Sequence, residues 1–246
     1  MRTMIVIAFL ALTGCVTTGN TIDKSRMAEG YAQKGLAYFQ ERNYEMASVE
    51  FNRSIQTDGS NKTAYYYLGV ISDFQEKPEQ AIKYYKKAIG IDGSFSEAYN
   101  ALGAVYSKQR KWNEALESYK LALENKLYTT PHVPYLNMGR VYMAQKDYPR
   151  AVDAYRDARR FVSLDFIIYE LGTALIEAGR ATEAIAEFQE GTALSPQDAN
   201  MRYGLALAHL KGGDKKSAAL EFRKAASLAP NSELAKKAND YLKVLR

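Results

Sequence analysis

Hydrophobic residues recur along most of the chain at intervals of three and four positions. Tyr99, Leu102 and Tyr106 are one such set, and this spacing places them on one face of an α-helix. From residue 28 onward, short amphipathic segments of this kind come in pairs, which we call helix A and helix B of each pair. One pair cannot bury its own apolar face, so neighbouring pairs must stack on one another. The pattern therefore predicts an all-α fold.

The pairs repeat with a nearly fixed period. Successive A segments align one small residue, at intervals of 34, 34, 36, 33 and 34 positions: Gly35, Gly69, Gly103, Gly139, Gly172 and Ala206. Successive B segments also align a small residue, an alanine that stands four positions before an aromatic residue: Ala47, Ala81, Ala115, Ala151, Ala184 and Ala218. Small residues at these points allow helices A and B to approach closely.

Period and signature together resemble the tetratricopeptide repeat. The resemblance implies an all-α solenoid of six helix-turn-helix repeats, closed by a C-terminal capping helix over residues 233–246 that begins after Ser232. Lys34 departs from the pattern, because leucine is usual at its position. We expect the repeats at residues 28–61, 62–95, 96–131, 132–164, 165–198 and 199–232.

The N-terminus carries a separate signal. Arg2 precedes an apolar run over residues 4–12, which is too short to span a membrane and is typical of a secretory signal. "LTGC" follows and resembles the bacterial lipobox, which implies a signal peptide over residues 1–14 and a lipidated Cys15. In bacterial lipoproteins an aspartate after the lipidated cysteine can signal retention in the inner membrane; Val16 stands at that position here, so the resemblance implies the outer membrane. A plain signal with an incidental thiol is the alternative. Residues 15–27 are expected to form a flexible tether.

Composition narrows the possible chemistry. One cysteine allows no internal disulfide and no cysteine-based metal site, and the two histidines, His132 and His209, are far apart. Nucleotide-binding, zinc-protease and serine-hydrolase motifs are missing from the sequence. Most of the 19 tyrosines occupy repeat signature positions, which indicates a core and not a nucleic-acid stacking surface. We expect no enzyme activity, no cofactor, no metal, no nucleic acid and no small-molecule substrate.

In the tetratricopeptide family, the A-helix face that does not contact helix B lines a concave binding surface. Its counterpart here is apolar in the first two repeats, whereas a solvated surface should be polar. Either the tether or tight packing covers these side chains, or an amphipathic partner segment binds there. The predicted groove residues are Leu36, Phe39, Tyr66, Val70, Phe74, Asn100, Arg140 and Tyr169.

Taken together, the lipobox, the tether, the repeats and the terminal helix resemble the tetratricopeptide lipoproteins of type IV pilus biogenesis, the PilF/PilW/Tgl type. The start "GCVTTGN" and the junction beginning "NKLYTTP" carry this resemblance. It implies a pilotin, anchored in the outer membrane and facing the periplasm, that helps a secretin to reach that membrane and multimerise. Two other roles stay open: a subunit of the outer-membrane protein insertion machinery, and a scaffold that recruits cell-wall enzymes.

Overall fold

The structure, a computed structural model, describes residues 17–245. This part of the chain holds thirteen α-helices and no β-strand, which confirms the predicted all-α class. The helices are α1 (Thr17–Gln40), α2 (Tyr44–Thr57), α3 (Lys62–Phe74), α4 (Pro78–Ile91), α5 (Ser96–Lys108), α6 (Trp112–Glu124), α7 (His132–Ala144), α8 (Tyr148–Phe161), α9 (Asp165–Glu177), α10 (Ala181–Leu194), α11 (Ala199–Lys211), α12 (Lys215–Leu228) and α13 (Glu233–Val244). Odd-numbered helices up to α11 are A helices, and even-numbered ones are B helices.

The chain divides into two compact units. The first ends at Ala101 and the second begins at Leu102. In the first unit, α1 packs against α2 and α3 against α4, around a buried cluster of Ala47, Phe51, Ala64, Leu68 and Ile71. In the second unit, a larger cluster extends from Ala115 in α6 to Ala208 in α11.

Close contact between helices A and B rests on the aligned glycines. A Cβ atom placed at Gly69 would lie 2.6 Å from Cε1 of Tyr85, and one at Gly103 would lie 2.6 Å from Cε1 of Tyr119. Both rings are almost fully buried. In the pairs whose A helix carries glycine, the aromatic ring of helix B therefore lies directly over that glycine, and a Cβ atom there would displace the ring.

The turns from helix A to helix B share one backbone conformation. In each of the six pairs, the turn after helix A contains one residue with positive φ: Arg42, Glu76, Arg110, Lys146, Gly179 and Gly213. In the first turn the Asn43 N–H donates to the Tyr38 carbonyl at 2.9 Å, which satisfies a helix-end carbonyl. Only the last two turns use glycine, the residue that adopts this conformation without strain.

Two ends of the described chain complete the fold. The segment predicted to be a flexible tether is helical from Thr17 onward, because α1 continues without a break into the first repeat. At the other end, α13 begins after Ser232, whose hydroxyl accepts a hydrogen bond from the Ala235 N–H at 3.1 Å. Within residues 17–245, no helix combines the length and apolar character that crossing a membrane requires.

Candidate functional site

An aromatic cluster with one exposed and three half-buried members lies at the A-to-B turn edge of the first two repeats. Phe39, at the end of α1, lies 5.4 Å from Tyr44, 5.0 Å from Tyr67 and 6.3 Å from Phe74, measured between ring centroids. Phe74 also lies 5.5 Å from Tyr44. Phe74 is 57% exposed although it is a large apolar side chain. We call Phe39, Tyr44, Tyr67 and Phe74 the turn cluster.

Other predicted groove residues of the first unit are less accessible. Leu36 is half-buried against the first-unit core, and Val70 is half-buried in α3. Tyr66 is half-buried too, with its ring 5.9 Å from Tyr85 and 5.3 Å from Phe95. Packing between helices thus covers part of the predicted groove, and Phe74 is its most exposed member.

Burial also sets the protonation state of Tyr85, whose ring contacts Tyr66. Desolvation raises the pKa of Tyr85 far above its ordinary value, and the neighbouring Tyr66 and Asp73 act in the same direction. A phenol in this position stays neutral at any physiological pH. Tyr85 therefore serves packing and offers no acid–base chemistry.

The remaining predicted groove residues are Asn100, Arg140 and Tyr169. Asn100 is half-buried in α5. Arg140 is exposed in α7, and its Nε and Nη2 atoms each lie 3.2 Å from Oε1 of Glu170 in α9. Tyr169 packs edge-on against Phe188 with centroids 5.9 Å apart. Asn100 belongs to the first unit, and Arg140 and Tyr169 belong to the second.

Glu170 is the centre of a small polar network in the second unit. Besides the ion pair with Arg140, its Oε2 accepts a hydrogen bond from the Tyr155 hydroxyl at 3.4 Å. Burial, then the charge of Glu170, raises the pKa of Tyr155. The network holds α7, α8 and α9 in register, and its charges are already paired.

Sequence reasoning did not single out a pocket between the starts of α9 and α11. Its volume is about 650 Å³. Apolar side chains, among them Phe166 and Met201, line it together with the carboxylates of Asp165 and Asp198. Asp165 is the first residue of α9 and Asp198 is the N-cap of α11, and acidic residues at the starts of two successive A helices were a signal that could have revealed the site.

A second groove, of about 760 Å³, lies between α2 and α4 in the first unit. Most of its lining is polar, with Ser48, Asn52 and Gln56 from α2 and Gln80 from α4. Its one aromatic lining residue, Tyr84, is half-buried, so the groove has no exposed aromatic anchor comparable to Phe74.

Across residues 17–245, no three histidine, cysteine, aspartate or glutamate side chains come close enough together to hold a metal ion. Cys15, the predicted lipidation site, lies outside the described residues.

Comparison with protein families identifies the class. Models described as tetratricopeptide repeat match residues 28–61, 63–95, 98–129, 135–160 and 169–233, which together make up most of the chain. The protein therefore belongs to the tetratricopeptide-repeat family. Proteins of this family use extended repeat surfaces to bind other proteins, so the chain is a protein-interaction scaffold of a generally non-catalytic type.

Curated relatives match only part of the chain. The intraflagellar transport protein 88 homolog of Homo sapiens is 27% identical over 110 residues, 42% of this chain and 13% of that protein. The peroxisomal targeting signal receptor of Saccharomyces cerevisiae is 29% identical over 100 residues, 40% of this chain and 16% of that protein. The chain thus spans less than a fifth of either relative.

Solved structures resemble the chain over most of its length. PilF of Pseudomonas aeruginosa aligns with a TM-score of 0.74 at 21% identity, covering 89% of this chain and 99% of PilF. PilW, a type IV pilus biogenesis factor, aligns at 0.73 and 17% identity, covering 87% and 98%. YrrB, a tetratricopeptide protein with an unusual peptide-binding site, aligns at 0.66 and 21% identity, covering 77% and 97%. These likenesses show the shared fold.

Proposed function

We propose that this protein is a lipid-anchored pilotin. In this role the protein binds a secretin during type IV pilus biogenesis and catalyses no reaction. Binding promotes the localisation of the secretin to the outer membrane and the multimerisation of the secretin there. Two of the structures similar to it are PilF and PilW, and nearly the whole of each is covered. PilW is described as a type IV pilus biogenesis factor, which supports the assignment.

The observation that carries the proposal is the exposure of Phe74. It is stacked on Phe39 with an interplanar angle of 15°, so the ring is held in place before any partner binds. Pre-ordered aromatic anchors lose little conformational entropy on binding and commonly dominate interface energies. An amphipathic segment of a secretin subunit would cover Phe74 with its apolar face.

A membrane anchor would allow a protein that catalyses no reaction to promote the assembly of secretin multimers. A lipid on Cys15 would hold the first two repeats near the membrane, which raises the local concentration of bound secretin subunits there. The proposal expects that Cys15→Ala protein takes up no fatty-acid label and leaves the outer-membrane fraction. Continued labelling of this variant would contradict the anchor.

The test of the binding site compares two phenylalanines. Phe74 and Phe161 are 57% and 56% exposed, and each has one stacked aromatic neighbour, which is Phe39 for Phe74 and Tyr135 for Phe161; Phe74 has a further, tilted ring contact with Tyr44. Phe74→Asp and Phe161→Asp therefore remove similar packing and add the same charge. Tyr66 is unsuitable for the test, because Tyr66→Asp would also disturb its contacts with Tyr85 and Phe95.

We expect Phe74→Asp to weaken secretin binding by about 2 kcal/mol, a roughly 30-fold loss of affinity. Heat-resistant secretin multimers on a denaturing gel should fall and secretin monomers should accumulate. Phe161→Asp should leave multimer levels as in the wild type, and both variants should keep their helical content by circular dichroism. Normal multimer formation with a folded, membrane-located Phe74→Asp protein would rule out the turn cluster as the secretin site.

A further inference from the structure

The pocket between the starts of α9 and α11 presents apolar side chains to solvent. Leu164 is 38% exposed and Phe166 is 46% exposed. Tyr169 and Met201 lie deeper and form its inner surface. A pocket of about 650 Å³ has room for one or two amino-acid side chains, and leaving these groups in water is unfavourable.

The same pocket carries negative charge without a matching cation. Asp165 accepts a hydrogen bond from the Ser195 hydroxyl. Asp198 accepts from the backbone N–H groups of Asn200 and Met201 at 2.7 and 3.3 Å. In the described part of the chain, neither aspartate has an ion pair with lysine or arginine. Glu170, which also lines the pocket, differs because Arg140 already neutralises it.

Tyr169, which lines the pocket, responds to its burial and to the carboxylates nearby. Burial raises the pKa of Tyr169, and the charges of Glu170 and Asp198 raise it further. This combination of apolar surface and carboxylates without a cationic partner is complementary to a ligand that is both apolar and cationic. An apolar group of the ligand would cover the exposed apolar side chains, and a cation would neutralise the carboxylates.

We propose that this pocket binds a protein segment in which arginine or lysine is next to a bulky apolar residue. The apolar side chain packs against Leu164 and Phe166, and the cation lies between Asp165 and Asp198. The site lies at the starts of α9 and α11, far from the turn cluster in sequence, and its partner need not be a secretin. Failure of this proposal would therefore leave the pilotin proposal intact.

The structure allows the charge to be removed without removing the hydrogen bonds. Asparagine keeps the side-chain oxygen that accepts from Ser195 at position 165, and it is as good an N-cap as aspartate at position 198. The variant D165N/D198N should therefore fold normally. Phe166→Ser removes the apolar contact instead. The control D153N/E177Q makes the same change in net charge at two exposed positions of α8 and α9 that do not line the pocket.

The experiment is selection of binders to the full-length chain from a random 12-residue peptide library. We expect selected peptides to place arginine or lysine beside leucine, isoleucine or phenylalanine. Their affinity should fall about tenfold or more on D165N/D198N and on Phe166→Ser, decrease with added salt, and be unchanged on D153N/E177Q. Circular dichroism melts check that each variant is folded.

Three results would overturn the proposal. One is that no selected peptide binds the wild type more tightly than D165N/D198N. Another is that acidic peptides are enriched. The third is that D153N/E177Q weakens binding as much as D165N/D198N does, because the effect would then come from net charge and not from the pocket.

Discussion

Individual residues set the distance between helices A and B. Sequence reasoning predicted the small residue of each A helix and the aromatic of each B helix, because both recur at a fixed period. The structure adds their mutual contact: Gly69 lies beneath Tyr85, Gly103 beneath Tyr119, and in the sixth repeat Ala206 shares a buried cluster with Phe222. Local spacing was enough to predict this contact, since both partners belong to one helical hairpin.

Two glycines in the second repeat give opposite predictions. Gly69→Ala should lower the free energy of unfolding by about 1–3 kcal/mol, because the added Cβ would lie 2.6 Å from the buried Tyr85 ring. Gly90→Ala should raise it by about 0.5–1 kcal/mol, because the new methyl group meets nothing within 4 Å and alanine favours the helix. Urea unfolding followed by circular dichroism measures both. Equal effects of the two substitutions would show that the helix contact has been misassigned.

Lys34 shows a compensation that periodicity could not reveal. It occupies a position where leucine is usual, and its Nζ lies 3.2 Å from Oε1 of Glu50. Glu50 is completely buried, and Arg53 also contacts it, at 2.8 Å. The atypical lysine and the buried carboxylate thus depend on each other across the first hairpin. The pairing could not be predicted because Glu50 is not part of the repeat signature.

Removing one member of this pair should cost more than removing both. Lys34→Leu alone should destabilise the protein by about 1–2 kcal/mol, because Glu50 then keeps only Arg53 as a counter-charge. Glu50→Leu in the Lys34→Leu background should recover at least half of that loss. A double-mutant cycle of chemical unfolding measures the coupling. Strictly additive effects would mean that the ion pair contributes nothing.

Among the elements, α1 departed most from expectation. Residues 15–27 are polar and include Gly19, which favoured a tether, yet α1 begins at Thr17. Extending a helix from an existing turn costs little compared with nucleating one, and Ala28 and Ala32 already anchor α1 in the first repeat. From Thr17 onward the segment is helical because it continues a packed helix, which composition alone does not show.

The C-terminal helix should act as a cap on α12. Ala238 is buried with Ala206, Ala218 and Phe222, and the Tyr241 ring stacks on Phe222 at 4.8 Å and 4°. Ala238→Glu should destabilise the protein by about 2–4 kcal/mol, because it buries an unpaired charge. Lys237→Glu, at the exposed neighbouring position, is the control. Thermal melts and hydrogen exchange in α12 measure the effect; a docked α13 in the Ala238→Glu protein would contradict the capping role.

For the whole molecule, the fold was predictable and the binding surface only in part. The repeat period and the signature residues were enough to predict the all-α tetratricopeptide fold, because both recur in every repeat. The groove prediction was less complete, since Tyr66 is half-buried by contacts with Tyr85 and Phe95 that depend on how helices pack. The shape of the pocket of Asp165 and Asp198 required the three-dimensional structure, because its lining comes from the starts of two different A helices, α9 and α11.

The central claim is that this scaffold binds a secretin, and one measurement tests it most directly. The wild-type chain and Phe74→Asp are isolated in parallel from detergent-solubilised outer membranes of the cells that express them, and the co-purified proteins are identified by mass spectrometry. The account predicts that a secretin is the main partner of the wild type and is strongly reduced with Phe74→Asp. Recovery of outer-membrane insertion subunits or cell-wall enzymes, with no secretin, would contradict it.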